Sequence, residues 1–210
     1  MNRILSSVAL AFICIFPVYG QMAWNAKYQN YFNQYKDLAI EQMLKYRIPA
    51  SITLAQGVFE SGAGYSDLAR NGNNHFGIKC HGWQGRKTYH DDDARNECFR
   101  AYDSPGQSYE DHSKFLVQSQ RYRRLFSLKI TDYKGWAHGL KACGYATNPA
   151  YAKKLIDIIE LYKLYKYDSA HGYDKFMAKH ASKDSPALNG GRLHTIKMYN
   201  KKHHIIASNS

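Results

Sequence analysis

The sequence predicts a mainly helical α+β fold: a helical domain carrying a small β-hairpin lobe over a cleft. Three observations predict it. Apolar residues recur at three- and four-residue steps through most of 27–167, the period of helices laid on a common core. Two short extended stretches, 86–90 and 97–102, flank the polar run Asp91-Asp92-Asp93-Ala94-Arg95-Asn96, which is a hairpin pattern. The stretch 51–64 reads as a helix that is apolar nearly all round and ends on a carboxylate, Glu60, so this helix is the buried one.

Residues 1–20 read as an export signal. Arg3 is the basic start, 4–18 is apolar, and Val18-Tyr19-Gly20 offers small residues for cleavage. The apolar run is short for a membrane span, and Ile13 before Cys14 argues against a lipid anchor. The expected product is an exported chain beginning near Gln21, periplasmic or extracellular, with no membrane insertion and working as a monomer. Residues 21–167 are enough for one domain with a real core, and 168–210 read as a basic linker or tail. The net charge of +12 favours an acidic polymer as partner.

The first helix is expected over 27–46, with Tyr28, Tyr31, Phe32, Tyr35, Leu38, Ala39 and Met43 on one side. Arg47-Ile48-Pro49 ends it, because a residue before proline avoids helical angles. Pro49 then opens the second helix, whose stripe is Ile52, Ala55 and Phe59, widened by Leu54 and Val58. Gly62 and Gly64 stop it. Thr53, Gln56 and Glu60 form the one polar line along it. A carboxylate there needs a partner, a proton or a cleft, so Glu60 is either a salt-bridged core residue or a functional one.

A short helix over 66–70, a loop over 71–74 and an extended segment over 75–80 lead to the hairpin. Of four cysteines, Cys14 lies in the leader. Cys80 precedes the first strand and Cys98 lies in the second, which predicts a disulfide and leaves Cys143 as a buried free thiol. Beyond Ser104-Pro105-Gly106 a helix is expected with Ser108 as cap and Asp111 completing a capping box. Helices over 122–128, 132–143 and 150–167 follow, the last burying Leu155, Ile158, Ile159, Tyr162 and Tyr165. From Asp168 the apolar period fades.

Several chemistries are excluded. No Cys/His spacing frames a zinc site, and the aspartate run lacks the glycine and glutamate of a calcium loop. No cofactor fingerprint and no nucleic-acid recognition motif are present. The expectation is no metal, no cofactor and no nucleic-acid partner. A helix-end glutamate among apolar groups and the aromatics Trp83, Tyr89, Tyr145 and Tyr151 suit glycosidic cleavage. That reaction needs a proton for the leaving oxygen, negative charge near the oxocarbenium centre and flat faces for sugar rings.

The residues carry a resemblance. Ala55-Gln56-Gly57-Val58-Phe59-Glu60-Ser61-Gly62 resembles the A-Q-x-x-x-E-S-G motif of the peptidoglycan N-acetylglucosaminidases of glycoside hydrolase family 73. Asn74-His75-Phe76-Gly77-Ile78-Lys79 resembles its N-x-F-G-I-K segment, and Phe99-Arg100-Ala101-Tyr102-Asp103-Ser104 its F-R-x-Y-x-S strand. Gly144-Tyr145-Ala146-Thr147-Asn148-Pro149-Ala150-Tyr151-Ala152 resembles its G-Y-A-T-D-P-x-Y-A motif, with Asn148 where the family often has Asp. The four stand in the family's order. The resemblance implies a lysozyme-like domain that cleaves the β-1,4 bond between N-acetylglucosamine and N-acetylmuramic acid in peptidoglycan glycan strands.

Carried over residue by residue, Glu60 takes the general acid. Tyr145 and Tyr151 take the tyrosines of the sugar cleft. The family's second carboxylate is commonly a hairpin glutamate; here that stretch offers Asp91, Asp92 and Asp93, and Asp92 is favoured. Candidate glycan contacts are then Tyr145, Tyr151, Gln56, Asn74, Phe76, Trp83, Asp91 and Asp93. The tail resembles the lead-in to a LysM-type repeat without its glycine-rich part. The rival readings are a lytic transglycosylase, which also uses a lone glutamate, and a non-catalytic peptidoglycan-binding module.

Overall fold

The computed structural model describes residues 22–92 and 94–169. The export signal, Asp93 and the tail from 170 onward, with its LysM-like stretch, lie outside the described residues.

Helix α1, Ala26–Tyr46, starts at Asn25, whose side chain accepts the Lys27 N–H, and ends where Arg47 turns left-handed at φ 59°. It lays Tyr31, Phe32, Ala39, Ile40 and Met43 on helix α2, Ala50–Glu60. Every α2 residue from Ala50 to Val58 is buried. α2 is therefore the central post of the helical domain, with α1, α5 and α6 packed around it. Gly57 makes one of these contacts possible: a side chain there would begin 2.5 Å from the Tyr31 hydroxyl and 3.2 Å from that of Tyr109. Those hydroxyls are hydrogen-bonded to each other at 2.9 Å, and Tyr31 also bonds His75 at 3.0 Å. Burial holds His75 down at about 4, so it stays neutral at physiological pH.

Pro49 sits one position before α2 rather than in it, and offers no side-chain cap. A buried helix start still needs acceptors for its free N–H groups. Asp168 supplies them from the far end of the domain: it accepts the Ser51 N–H at 2.8 Å and the Ser51 hydroxyl at 2.5 Å. Asp168 is only 3% exposed, and burial raises its pKa to about 7. The folded unit thus reaches past 167. Apolar periodicity cannot register a buried polar residue that follows the last stripe.

Helix α3, Asp67–Gly72, is capped by Ser66. Strands β1, Lys87–His90, and β2, Glu97–Arg100, pair antiparallel with Lys87 opposite Arg100 and His90 opposite Glu97. The segment 75–80 forms no strand and contributes a single bridge, Lys79 to Phe99. The Cys80–Cys98 disulfide ties it to β2. Asn74 completes the join, donating to the carbonyls of Ile78 and Arg100 and accepting the Ile78 N–H.

Helix α4, Pro105–Gln118, is capped by Ser104, not Ser108. Pro105 suits the first helical position, and that starts the helix a turn earlier than the Ser108 reading; the Ser108 hydroxyl instead accepts the His75 N–H at 3.1 Å. A 3₁₀ helix, Gln120–Ser127, leads to α5, Tyr133–Ala142, and α6, Tyr151–Leu161. The expected single helix to 167 breaks at Lys163, which is left-handed at φ 55°. The chain resumes as a 3₁₀ turn, Leu164–Tyr167, and this break swings Asp168 onto Ser51. Tyr165 consequently points outward, 40% exposed. Cys143 is free and half-buried rather than buried, its sulfur accepting the Arg124 Nε–H at 3.3 Å.

Candidate active site

Glu60 is the last residue of α2. Gly62, Ala63 and Gly64 all take positive φ, so the chain turns away and leaves the carboxylate at the helix end. Ser61 closes the turn, its hydroxyl donating to Gly57 O at 2.5 Å and accepting the Gly64 N–H at 2.8 Å.

Tyr151, the first residue of α6, donates its hydroxyl proton to Glu60 Oε1 at 3.1 Å. It accepts from Gln56 Nε2 at 3.1 Å. Gln56 and Glu60 stand four residues apart, hence on one face of α2, and both reach the same tyrosine. Tyr145 stacks on Tyr151, ring centres 5.7 Å apart and planes 23° apart. Burial pushes the Glu60 pKa up to about 7; the Tyr151 hydrogen bond opposes the rise and the negative charge of Asp92 adds to it.

The hairpin aspartates have different surroundings. Asp91 accepts the Asn96 N–H at 2.7 Å and so shapes the turn. Asp92 is exposed and lies 3.6 Å from the Lys79 ammonium. It is also close enough to Glu60 for its charge to be felt there. Lys79 contacts Glu97 as well, at 3.0 Å.

The other candidates divide. Gln56, Tyr145 and Tyr151 gather at Glu60. Asn74 is 1% exposed, with its amide committed to the hairpin base. Phe76 is buried against His112, ring centres 3.9 Å apart. Neither offers a surface to a sugar. The Trp83 indole has the Arg100 guanidinium 4.9 Å over it and donates its N–H to Arg86 O. A side chain on Gly85 would begin 2.5 Å from the same ring. Trp83 lines a cavity of about 580 Å³ with Leu38, Gln42 and Tyr102, and Glu60 is not among its lining residues. Asn148, at the family's aspartate position, accepts the Ala150 N–H at 2.9 Å, a role that needs an oxygen but no charge.

Lys79, which contacts Asp92 and Glu97, has no functional signal in the apolar pattern. Its signal is the pairing register: Lys79 lies opposite Phe99, beside the strand that carries Glu97.

Known proteins bear on this site. The glucosaminidase family profile, described as mannosyl-glycoprotein endo-β-N-acetylglucosaminidase, matches residues 36–164. Exo-glucosaminidase LytG of Bacillus subtilis is 34% identical over 154 residues, 67% of this chain and 54% of that protein. Peptidoglycan hydrolase FlgJ of Vibrio cholerae is 32% identical over 138 residues, 57% of this chain and 40% of that protein. The chain spans about half the length of the curated relatives it matches. Among solved structures, the glycoside hydrolase domain of Salmonella typhimurium FlgJ superposes with a TM-score of 0.56 at 25% identity, covering 76% of this chain and 99% of that one. The catalytic domain of the autolysin Auto of Listeria monocytogenes does so with a TM-score of 0.57 at 27% identity, covering 70% and 91%. The matched span runs from the middle of α1 to the turn after α6 and takes in Glu60, the hairpin and Tyr151, so the chain belongs to the glucosaminidase family, glycoside hydrolase family 73.

Proposed function

We propose that the chain hydrolyses the β-1,4 bond between N-acetylglucosamine and N-acetylmuramic acid in peptidoglycan, with Glu60 as general acid. One observation carries the reading. Glu60 has its pKa raised to about 7 and is held at a helix end by Tyr151. A carboxyl group that keeps its proton near neutrality can give it to a glycosidic oxygen. Asp92, exposed on the hairpin, is the second carboxylate. It supplies negative charge opposite the developing oxocarbenium ion and activates the attacking water, with inversion at the anomeric carbon. Tyr145, its ring half-buried beside Glu60, is the face against which a sugar ring rests. Relatives described as glucosaminidase and peptidoglycan hydrolase support the substrate class. The expected leader and this substrate agree on work outside the cytoplasm.

The test is mass spectrometry of purified peptidoglycan after digestion. Products with reducing N-acetylglucosamine ends support the reading. Anhydro-muramic ends identify a transglycosylase instead, and intact glycan from a folded protein identifies a binding module; either overturns it.

A further inference from the structure

The flanks of Glu60 differ in charge. The hairpin, 86–102, sets Asp91, Asp92, Asp93 and Glu97 against Arg86, Lys87, Arg95 and Arg100, so its charges cancel. The Tyr145 side continues into the 3₁₀ helix Gln120–Ser127 and α5. Between 119 and 147 the chain has six lysines and arginines and a single carboxylate, Asp132. That carboxylate is occupied as the α5 cap, accepting the Gly135 N–H at 2.9 Å.

The 3₁₀ helix buries Tyr122 and Leu125. Anchoring on those two turns Arg121, Arg123 and Arg124 outward, and all three are exposed. Among the described residues none of them pairs with a carboxylate. Two are placed by contacts just before Tyr145. Arg124 donates to the Cys143 sulfur at 3.3 Å. The Arg121 guanidinium lies against Gly144, 3.9 Å from where a side chain there would begin. The next residue is Tyr145, whose ring packs 6.1 Å from Tyr122 and 5.7 Å from Tyr151. The arginine rim is therefore continuous with the tyrosines that lead to Glu60.

We infer that Arg121, Arg123 and Arg124 form a docking surface for the carboxylates of the peptide side chains on a peptidoglycan strand. The inference rests on the proposed substrate and deepens it: the preferred substrate is peptide-bearing glycan, not bare glycan. A strand seated with its scissile bond at Glu60 brings its peptides along covalently, at the high effective concentration a tether gives. Planar guanidinium groups match carboxylates with two parallel hydrogen bonds. An exposed surface of this kind gains modestly per contact and is weakened by salt.

The experiment uses Glu60→Gln protein, which isolates binding from cleavage, in co-sedimentation with three preparations: intact sacculi, sacculi stripped of peptides by an amidase, and sacculi stripped of phosphate polymers. Binding to intact sacculi is expected to be about 10-fold tighter than to peptide-stripped ones at low salt, and the preference should shrink as salt rises. Adding Arg121→Gln, Arg123→Gln and Arg124→Gln together should abolish the preference; lysine at all three positions should keep part of it. Unchanged preference in the glutamine variant overturns the inference. So does a preference that disappears only when phosphate polymers are removed, which makes phosphate the partner. With Glu60 intact, the ratio of cleavage rates on peptide-bearing and peptide-stripped glycan separates the two readings. Cleavage at an equal rate on both sinks the docking surface alone. Peptide-dependent binding with no cleavage on either sinks the catalytic reading alone.

Discussion

Helix α2 and the β-hairpin each carry one of the two carboxylates proposed for catalysis, and they hold it by opposite means. Glu60 ends a helix buried along nearly its whole length, with Tyr151 on its oxygen and Gln56 behind that tyrosine. Asp92 stands on an exposed turn, tethered by the Lys79 ammonium 3.6 Å away and, further down, by the Cys80–Cys98 disulfide. The difference separates two requirements. An acid must be dehydrated and fixed, because both its proton affinity and its aim come from its surroundings. A carboxylate proposed to manage water or charge has the opposite need, since it works ionised and exposure keeps it so.

The sharpest way to break the comparison is Glu60→Gln. Wall hydrolysis should fall at least about 10²-fold, since positioned acid catalysis is lost. The fold should hold, and its stability reveals the state of Glu60. Because burial raises the Glu60 pKa from 4.5 to about 7, the native state binds that proton more tightly than the unfolded chain. The stabilisation it gives is complete below about 4.5 and is lost as pH climbs through about 7. Denaturation of wild type and variant at pH 5 and pH 8 should show the variant gaining relative stability at pH 8. A wild-type rate in the folded variant removes Glu60 from the mechanism.

Next in size, Asp92→Asn should slow hydrolysis about 10-fold or more, while Asp91→Asn, whose partner is the Asn96 N–H, should cost far less. Product anomers read early by NMR should show inversion in the wild type. Equal rates in both variants would mean that Glu60 works alone or with help from the substrate's N-acetyl group. Replacing Cys80 and Cys98 together by serine comes third. The bridge spans 18 residues, and losing such a loop constraint costs about 3 kcal/mol. Hydrogen exchange should locate that loss in 79–100, with α2 amides still protected; equal loosening of both regions would erase the distinction between them.

The smallest effects have opposite signs. Tyr151→Phe removes the hydrogen bond that lowers the Glu60 pKa, and Asp92→Asn removes the charge that raises it. The alkaline limb of the pH–rate profile should move up in the first and down in the second. Shifts in one common direction would mean that these two groups do not set the Glu60 proton affinity.

Much of the frame was legible because period and punctuation speak clearly. The α1 stripe, the α2 start and stop and the hairpin strands follow from residue spacing alone. The gaps have physical causes. Ser104 and Ser108 are both plausible caps, and only the fit of Pro105 in the first turn decides between them. The break at Lys163 interrupts a stripe that remains apolar on both sides. Asn74 and Phe76 belong to the motif, yet the motif does not say whether a residue meets glycan or holds the hairpin base that does. Counting along the hairpin is all that favours Asp92 over Asp91 in the sequence; the structure adds that Asp91 accepts the Asn96 N–H while the Asp92 carboxylate lies by Lys79.

The contact between Asp168 and Ser51 joins residues 117 apart in sequence. A chain emerging from the ribosome or from an export channel therefore makes the helix bearing Glu60 early and caps it last. Until Asp168 arrives, the Ser51 N–H lacks the acceptor that the finished fold gives it. Asp168 thus closes the start of α2 only after nearly all of the described residues are in place, so the helix that carries Glu60 is finished last. Exchange of the Ser51 amide in chains ending at Tyr167 and at Ser169 measures this directly, and equal protection in the two would show that α2 needs no such closing step.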